Sequence, residues 1–390
     1  MFKRVARKNT AGITRVLTAS GEHGLIDQGE FFNKRVAARD ISGYFHLKRG
    51  EFAYNRSSMA GYPYGAIKRL ERYSDGALST LYLCFALRKP EALDPDFASH
   101  LLDSGQLDSE LAPIARVGAR AHGLLNVTPA EFFEIQCSIP PLPEQKKIAA
   151  ILGAVDAAIQ ATQAVIDQTR RVKAGLLQTL LTRGIGHTRF KKTAIGEIPE
   201  SWAITTPGEL ANFTGGNGFR PKDWSDSGRP IIRIQNLNGS QQFNYYDGPV
   251  NPRWLIPPGE LLFAWAGSAG ASFGPTIWPG PEGVLNQHIY RITPRRGVVK
   301  RWLYYILQLV TGRIEARAHG FKTTLLHVHK SDITDQPIPL PPAEEQAQIV
   351  SRLMTAEQSE EHAMSALTAL QKTKAGLLQD LLTGAVRVTP

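Results

Sequence analysis

The stretch Pro140–Leu152, PPLPEQKKIAAIL, returns as PPAEEQAQIVSRL at Pro341–Leu353, and Lys173–Thr182, KAGLLQTLLT, returns as KAGLLQDLLT at Lys374–Thr383. Both matches share one ungapped register, so the two copies have the same length, as expected when length is itself structural. Each copy opens at a double proline, which suits a helix start because the missing N–H would be an orphan donor there. Ile148, Leu152, Val155, Ile159, Thr162, Ile166, Thr169, Lys173, Leu176 and Leu180 alternate steps of four and three. That is a coiled-coil seam. The second copy repeats it through Ile349, Leu353, Ala356, Glu360, Ala363, Leu367, Leu370, Lys374, Leu377 and Leu381, with a weaker middle. A helix from Pro141 to Arg183 would be roughly 60 Å long. One apolar stripe cannot stand alone in water, and the simplest partner for each helix is the other, packed antiparallel. Gly175 and Gly376 hold equivalent places in the pattern and predict either close helix contact or fraying.

Upstream the likeness continues more loosely. Gly76–Arg88 aligns with Gly283–Arg295, Gly50-Glu51 with Gly259-Glu260, and GARAHG ending at Gly123 with EARAHG ending at Gly320. The order is therefore globule, helix, globule, helix, with boundaries predicted at 1–139, 140–186, 187–339 and 340–390. The globules are rich in Gly, Pro and aromatics, with β-like runs such as PIIRIQNL from Pro230, GELLFAWAG from Gly259 and GALSTLYLCFAL from Gly76. The fold class predicted is α+β: two mixed α/β globules separated by two long helices in an antiparallel coiled coil, with pseudo-twofold symmetry.

Composition narrows the function. A 390-residue chain with 42% hydrophobic and 21% charged residues can bury real cores. Lys and Arg outnumber Asp and Glu by 45 to 35, which favours a polyanionic partner, nucleic acid before an acidic membrane. Two cysteines, Cys84 and Cys137, exclude a disulfide scaffold and fit a reducing cytoplasm. The basic N-terminus has no apolar core of a signal peptide, and no run of about 18 apolar residues is expected to span a bilayer.

Catalytic motifs are missing. There is no Gly-Lys-Ser or Gly-Lys-Thr of a P-loop. The adenine-methyltransferase tetrad has only poor matches, NPRW from Asn251 and the IPP strings at Ile139 and Ile256. FTGGNG from Phe213 has Asn217 where a methyl-donor loop wants glycine, and reads as a turn before a basic loop. His319, His327 and His329 lack a carboxylate or cysteine at ligand spacing, so no metal is expected. Glu144-x-Lys146 half-matches a nuclease pair, but its copy is Glu345-x-Ala347; a carboxylate beside a helix N-terminal dipole explains both.

Polar and basic clusters say more. In the first globule Asn55, Arg56, Ser57 and Ser58 lie in a loop that continues to Lys68. In the second, Arg220 and Lys222, Arg233 with Gln235 and Asn236, Asn286 with Gln287 and His288, and Lys322 with Thr323 form a series. Arg, Asn and Gln pair with base edges, whereas Lys and hydroxyls mostly hold phosphate. Arg120 with His122 and Arg317 with His319 occur in both halves and read as a phosphate clamp, with a structural turn as the alternative. These residues are the predicted DNA contacts.

The duplicated PLPEQ (Pro141) and PAEEQ (Pro342) helix starts, the KAGLLQxLLT segments, IGEIPESW from Ile195, and Leu25–Ser58 together resemble one family, the specificity subunit of type I restriction-modification systems. The resemblance covers nearly the whole chain. It implies that each globule is a target recognition domain reading one half of a split, asymmetric double-stranded DNA target, and that the helices set the spacer. It also implies that the chain has no catalytic site and binds no cofactor itself. Two modification subunits using S-adenosylmethionine dock on it, and motor-nuclease subunits using ATP and Mg join them in the cytoplasm, away from any membrane. The first globule departs from the pattern: it lacks the lead at Ile198–Trp202 and is shorter at its start, which predicts a truncation or a different arrangement there. The rival reading is a coiled-coil scaffold for protein partners with incidental basic charge.

Overall fold

The computed structural model describes residues 1–21, 23–32, 36–59, 61–117, 123–319 and 325–388. Its contacts divide the chain into two units, Met1–Ala164 with Met364–Pro390, and Val165–Ala363. The division cuts through both long helices, so each unit holds one globule and a half of each helix.

The two globules repeat one sheet. In the first unit the strands run in the order Phe2–Arg4, Tyr82–Leu87, Phe52–Asn55, Ala66–Arg69, each antiparallel to its neighbour. In the second the order is Ala211–Gly215, Ile289–Pro294, Leu261–Ala264, Gly274–Ile277, again antiparallel throughout. The topology is the same, and the Gly50-Glu51/Gly259-Glu260 alignment is the structural one. Smaller sheet segments also correspond: the parallel bridge Val16–Ala77 in the first unit matches the parallel pair Ile231–Val284 in the second.

Central strands read as unbroken apolar runs because both faces are covered. Phe52, Tyr54 and Phe85 face one core, while Ala53 and Cys84 face another. Leu261 and Phe263 likewise face a core opposite Leu262. Alternation along a strand sends successive side chains to opposite faces, which sorts these residues. The larger core of the first unit continues onto Ile148, Ala149, Leu152, Leu381 and Leu382. That of the second continues onto Leu180, Leu181, Ile349, Val350 and Leu353.

The long helices span Leu142–Thr182 and Ala343–Leu382. Every predicted seam residue on both is buried or half-buried. Their direction is antiparallel within each unit: Glu144 meets Arg387 and Asp156 meets Lys374 in one, Lys173 meets Glu360 and Leu180 shares a core with Ile349 in the other. Gly175 and Gly376 have no atom within 4 Å of a notional Cβ, so neither is a point of close helix contact. One expectation is corrected. The helix Leu142–Thr182 is long and apolar enough, by length and composition, to cross a membrane. Alanines beside the seam (Ala149, Ala150, Ala157, Ala158, Ala161) raise its apolar content, while its seam residues Ile148 and Leu152 are buried in the core of the first unit.

The repeated Glu-Gln pair at each helix start has a structural meaning beyond the helix dipole. Gln145 accepts a hydrogen bond from the Asp94 amide (2.8 Å) and donates to the carbonyls of Ala92 and Pro140. Gln346 does the same with the Val299 amide (3.0 Å) and the Pro341 carbonyl. Each glutamine ties its globule to the helix. The glutamates hold the segments that follow the helices: Glu144 accepts from Arg387 and the Val388 amide, Glu345 from the Ile185 amide, His187 and the Trp202 indole.

Two groups in the first unit make it acid-sensitive. The Arg387 hydrogen bonds hold the Glu144 carboxyl down to about 2, below its usual 4.5. Burial, opposed by Asp156, pushes His100 below 6.5, with Lys374, Asp96 and Arg69 also facing it. Both groups bind protons more weakly folded than unfolded, so the stability they confer is complete above their unfolded values and falls as pH drops. His100 is expected to erode the first unit below pH 6.5 and Glu144 below 4.5. Acid titration of Arg387→Ala should flatten the lower limb alone, and of His100→Gln the upper limb alone; unchanged limbs would refute the assignment.

Candidate nucleic-acid interface

In the second unit, three sequence-distant stretches meet beyond the sheet. After Gly215 the chain turns so tightly against the loop at 286 that a Cβ on Gly216 would strike the carbonyl oxygens of Leu285 and Asn286. Asn217 and Asn286 form a bridge. This is the turn that FTGGNG encodes. It leads to Arg220 and Lys222, both exposed on the turn Pro221–Asp223, and to Trp224. The Arg233 guanidinium lies 5.3 Å over the Trp224 ring and donates to Asn244 (2.9 Å).

The run from Pro230 is a strand only to Ile232. Asn236 ends it: its side chain accepts from the Arg233 amide and donates to the carbonyls of Ser240 and Gln242, wrapping a turn. Asn236 is thus buried as a positioning residue, and Gln235 beside it is exposed. The loop Asn286–His288 is held from below by Trp265, whose indole N–H donates to the Gln287 carbonyl at 3.2 Å. Trp265 also packs on His288 (5.0 Å), His327 (4.7 Å) and Tyr290 (5.9 Å). His327 ends the strand Leu325–His327 and His329 precedes the helix Lys330–Thr334. Among the described residues no group of His, Cys, Asp or Glu is placed to hold a metal ion.

The first unit has a parallel arrangement with different chemistry. Arg56 follows its central strand as Trp265 follows the other. Its guanidinium donates to the carbonyls of Leu81 (2.9 Å) and Val127 (3.0 Å), holding the loop Ser79–Leu81. Asn55 and Ser57 are half-buried and Ser58 is exposed, its amide bonded to the Gly123 carbonyl. Leu81, 56% exposed, occupies the place His288 has in the second unit. Lys68 is 6% exposed and fully engaged by Asp103, the Tyr62 hydroxyl and the Gly21 carbonyl, so it belongs to an internal ion pair.

Arg317 is exposed near the end of the helix Lys300–His319, beside Arg313, whose pKa is lowered by burial and by the Arg317 charge. Arg120, His122, Lys322, Thr323 and the His319 side chain lie outside the described residues. Sequence reasoning missed Trp265 because an aromatic in a β-like run reads as core, and Trp224 because nothing in its polar loop places it beside Arg233. Their places, Trp224 under Arg233 and half-buried Trp265 against His288, are visible only in three dimensions.

Duplicated globules that carry polar loops on one repeated sheet, and share their cores with long paired helices, define a class of repeat-built recognition proteins. The family model described as the type I restriction modification DNA specificity domain matches residues 70–169 and 199–366, more than half of the chain. The chain belongs to that family. It is similar to the type I restriction enzyme MjaVIII specificity subunit of Methanocaldococcus jannaschii, 27% identical over 286 residues, covering 68% of this chain and 65% of the relative. The first relatives it matches are spanned to only 64% and 65% of their length. In fold it resembles a chain solved in a study of complex assembly and conformational transition of the type I R-M system, with TM-score 0.58, 17% identity, and coverage of 98% of this chain and 97% of the other. It also resembles the type I restriction-modification S subunit from M. genitalium, with TM-score 0.54, 13% identity, and coverage of 98% and 93%.

Proposed function

We propose that this chain is the sequence-reading subunit of a type I restriction-modification complex. Each globule acts as a target recognition domain for one half of a bipartite, asymmetric double-stranded DNA target, and the helix pair sets the spacer. The domains are 1–139 and 187–339, with helical segments 140–186 and 340–390. Catalysis belongs to partners: two modification subunits that use S-adenosylmethionine, and motor-nuclease subunits that use ATP and Mg. The complex works in the cytoplasm.

The observation that carries this reading is the duplication of one sheet with polar loops at the same end of each copy, in a chain of this family. In the second globule the roles divide by chemistry. Arg220 and Lys222, exposed on a turn, suit phosphate; Gln287 and His288, on a loop braced by Trp265, suit base edges. In the first, Asn55 ends the central strand and Ser57 and Ser58 lie on the loop that follows it, at the same end of the sheet, with Arg56 positioning the loop and Lys68 bracing the fold beneath. Arg120, His122, Arg317, His319, Lys322 and Thr323 remain phosphate-contact proposals.

Binding through several Lys and Arg side chains releases counterions, so log K is expected to fall against log salt by about 0.9 per phosphate neutralised. Titration of the complex on its target at rising salt checks this. Arg220→Ala and Lys222→Ala should each lower the slope by about one and weaken all sequences alike. A flat salt response would contradict DNA as the ligand.

A further inference from the structure

We propose that the cavity bounded by Arg233, Gln235, Asn286 and His288 reads the major-groove edge of a guanine in the half-target of the second globule; this rests on the function proposed above. The cavity is 120 Å³, with Ile234 and Ile289 completing its walls. Its polar groups are mostly donors. The Asn286 side-chain oxygen already accepts from the Gln287 amide at 2.9 Å, which leaves its NH₂ to face outward chemistry. The Gln287 side-chain nitrogen lies 3.1 Å from His288 Nε2. With the amide in that orientation, Nε2 accepts, and the imidazole proton sits on Nδ1.

That Nδ1 is buried and has no hydrogen-bond partner. A buried donor without an acceptor is rare in a finished fold, and this one lies beneath the cavity surface, so the donors open to a base edge are those of the neighbouring side chains. Arg233 adds guanidinium N–H groups beyond the one given to Asn244. Exposed Gln235 supplies an amide that can donate or accept.

Donors from Arg233, Asn286 and Gln235 select among bases. Guanine presents two acceptors in the major groove, N7 and O6; adenine presents one acceptor beside a donor, cytosine a donor, and thymine an acceptor beside a methyl group. A donor-rich wall therefore fits guanine and leaves clashes or orphaned groups against the others. The site is also rigid before binding: Gly216 fixes the Asn286 backbone by close approach, and Trp265 holds Gln287. Preorganised donors lose little entropy when a base edge docks.

The test uses the chain assembled with its modification subunits. The wild-type complex selects its target from a random duplex library, and 7-deazaguanine, which lacks the N7 acceptor, then replaces each guanine of the second globule's half-target in turn. One position is expected to weaken wild-type binding about tenfold or more. Asn286→Ala and Gln235→Ala should bind the unmodified target more weakly and lose the penalty at that position alone. The Gln235 side chain is exposed, so that variant reports even where Asn286→Ala disturbs the loop. A target bound specifically but indifferent to 7-deazaguanine, or variants weakened equally on all sequences with the penalty intact, would overturn the guanine assignment. Selection of no sequence at all would overturn the proposed function, and this assignment with it.

Discussion

Exchanging residues 1–139 for the corresponding globule of another family member is expected to change one half of the DNA target and leave the other half as it was. The reason lies in how the cores are built. The first globule's sheet, Phe52, Tyr54, Phe85 and their neighbours, packs on Ile148, Leu152, Leu381 and Leu382 within its own unit. The second globule's sheet packs on Leu180, Leu181, Ile349 and Leu353 within the other. Among the described residues the two sets fall in separate cores, so a donor globule that keeps the Gln145 ties to residues 92 and 94 carries its reading loops with it. Selection from a random duplex library before and after exchange measures the outcome. A scaffold for protein partners would show no change in DNA preference, and an exchange that altered both halves together would contradict independent reading.

Glu345→Ala is expected to destabilise the second unit by roughly 2–5 kcal/mol, since each buried group left without its hydrogen bond costs about 1–3 kcal/mol. Glu345 accepts from the Ile185 amide (3.0 Å), His187 Nε2 (2.8 Å) and the indole of Trp202 (2.8 Å). Trp202 is 1% exposed, so its freed N–H cannot turn to water. The matching change in the first unit, Glu144→Ala, is expected to cost less because its main partner, Arg387, is 66% exposed and rehydrates readily. Glu345→Gln, which keeps an acceptor oxygen, should fall between wild type and alanine. Urea unfolding with unchanged slope and a shifted midpoint reads the loss, and amide exchange at Ile185 localises it. A shift below about 0.5 kcal/mol, the usual range for a surface substitution, would show that the carboxylate does not hold this junction.

Much of the fold was legible because the repeat is long and its physical cause is simple. Heptad spacing forces one stripe of each helix inward, and every residue of both predicted seams follows it, Lys173 and Glu360 included, which pair across the helices. Sheet alignment was legible at Gly50-Glu51 and Gly259-Glu260, where turns punctuate two central strands. The candidate interface was legible in part. Residue type pointed to Arg233, Gln287 and His288, which the fold brings together. It pointed equally to Lys68 and Asn236, which the fold buries: composition cannot distinguish a cation aimed at phosphate from one matched to Asp103, nor an amide aimed at a base from one that closes a turn. Trp265 and Arg56 hold equivalent places with unlike side chains, so no string comparison links them. The role of Glu144 and Glu345 was hidden for another reason. Their partners lie beyond the far end of the other long helix in sequence, and only folding brings Arg387 to Glu144 or His187 to Glu345.

The most direct test of the account is methylation profiling of a genome in cells that carry this chain with its partner subunits. The result expected is adenine marks at a two-part, asymmetric motif, lost when this chain is deleted and altered in one part when residues 1–139 are exchanged. Marks that persist unchanged without the chain, or that follow a motif indifferent to the exchange, would contradict it.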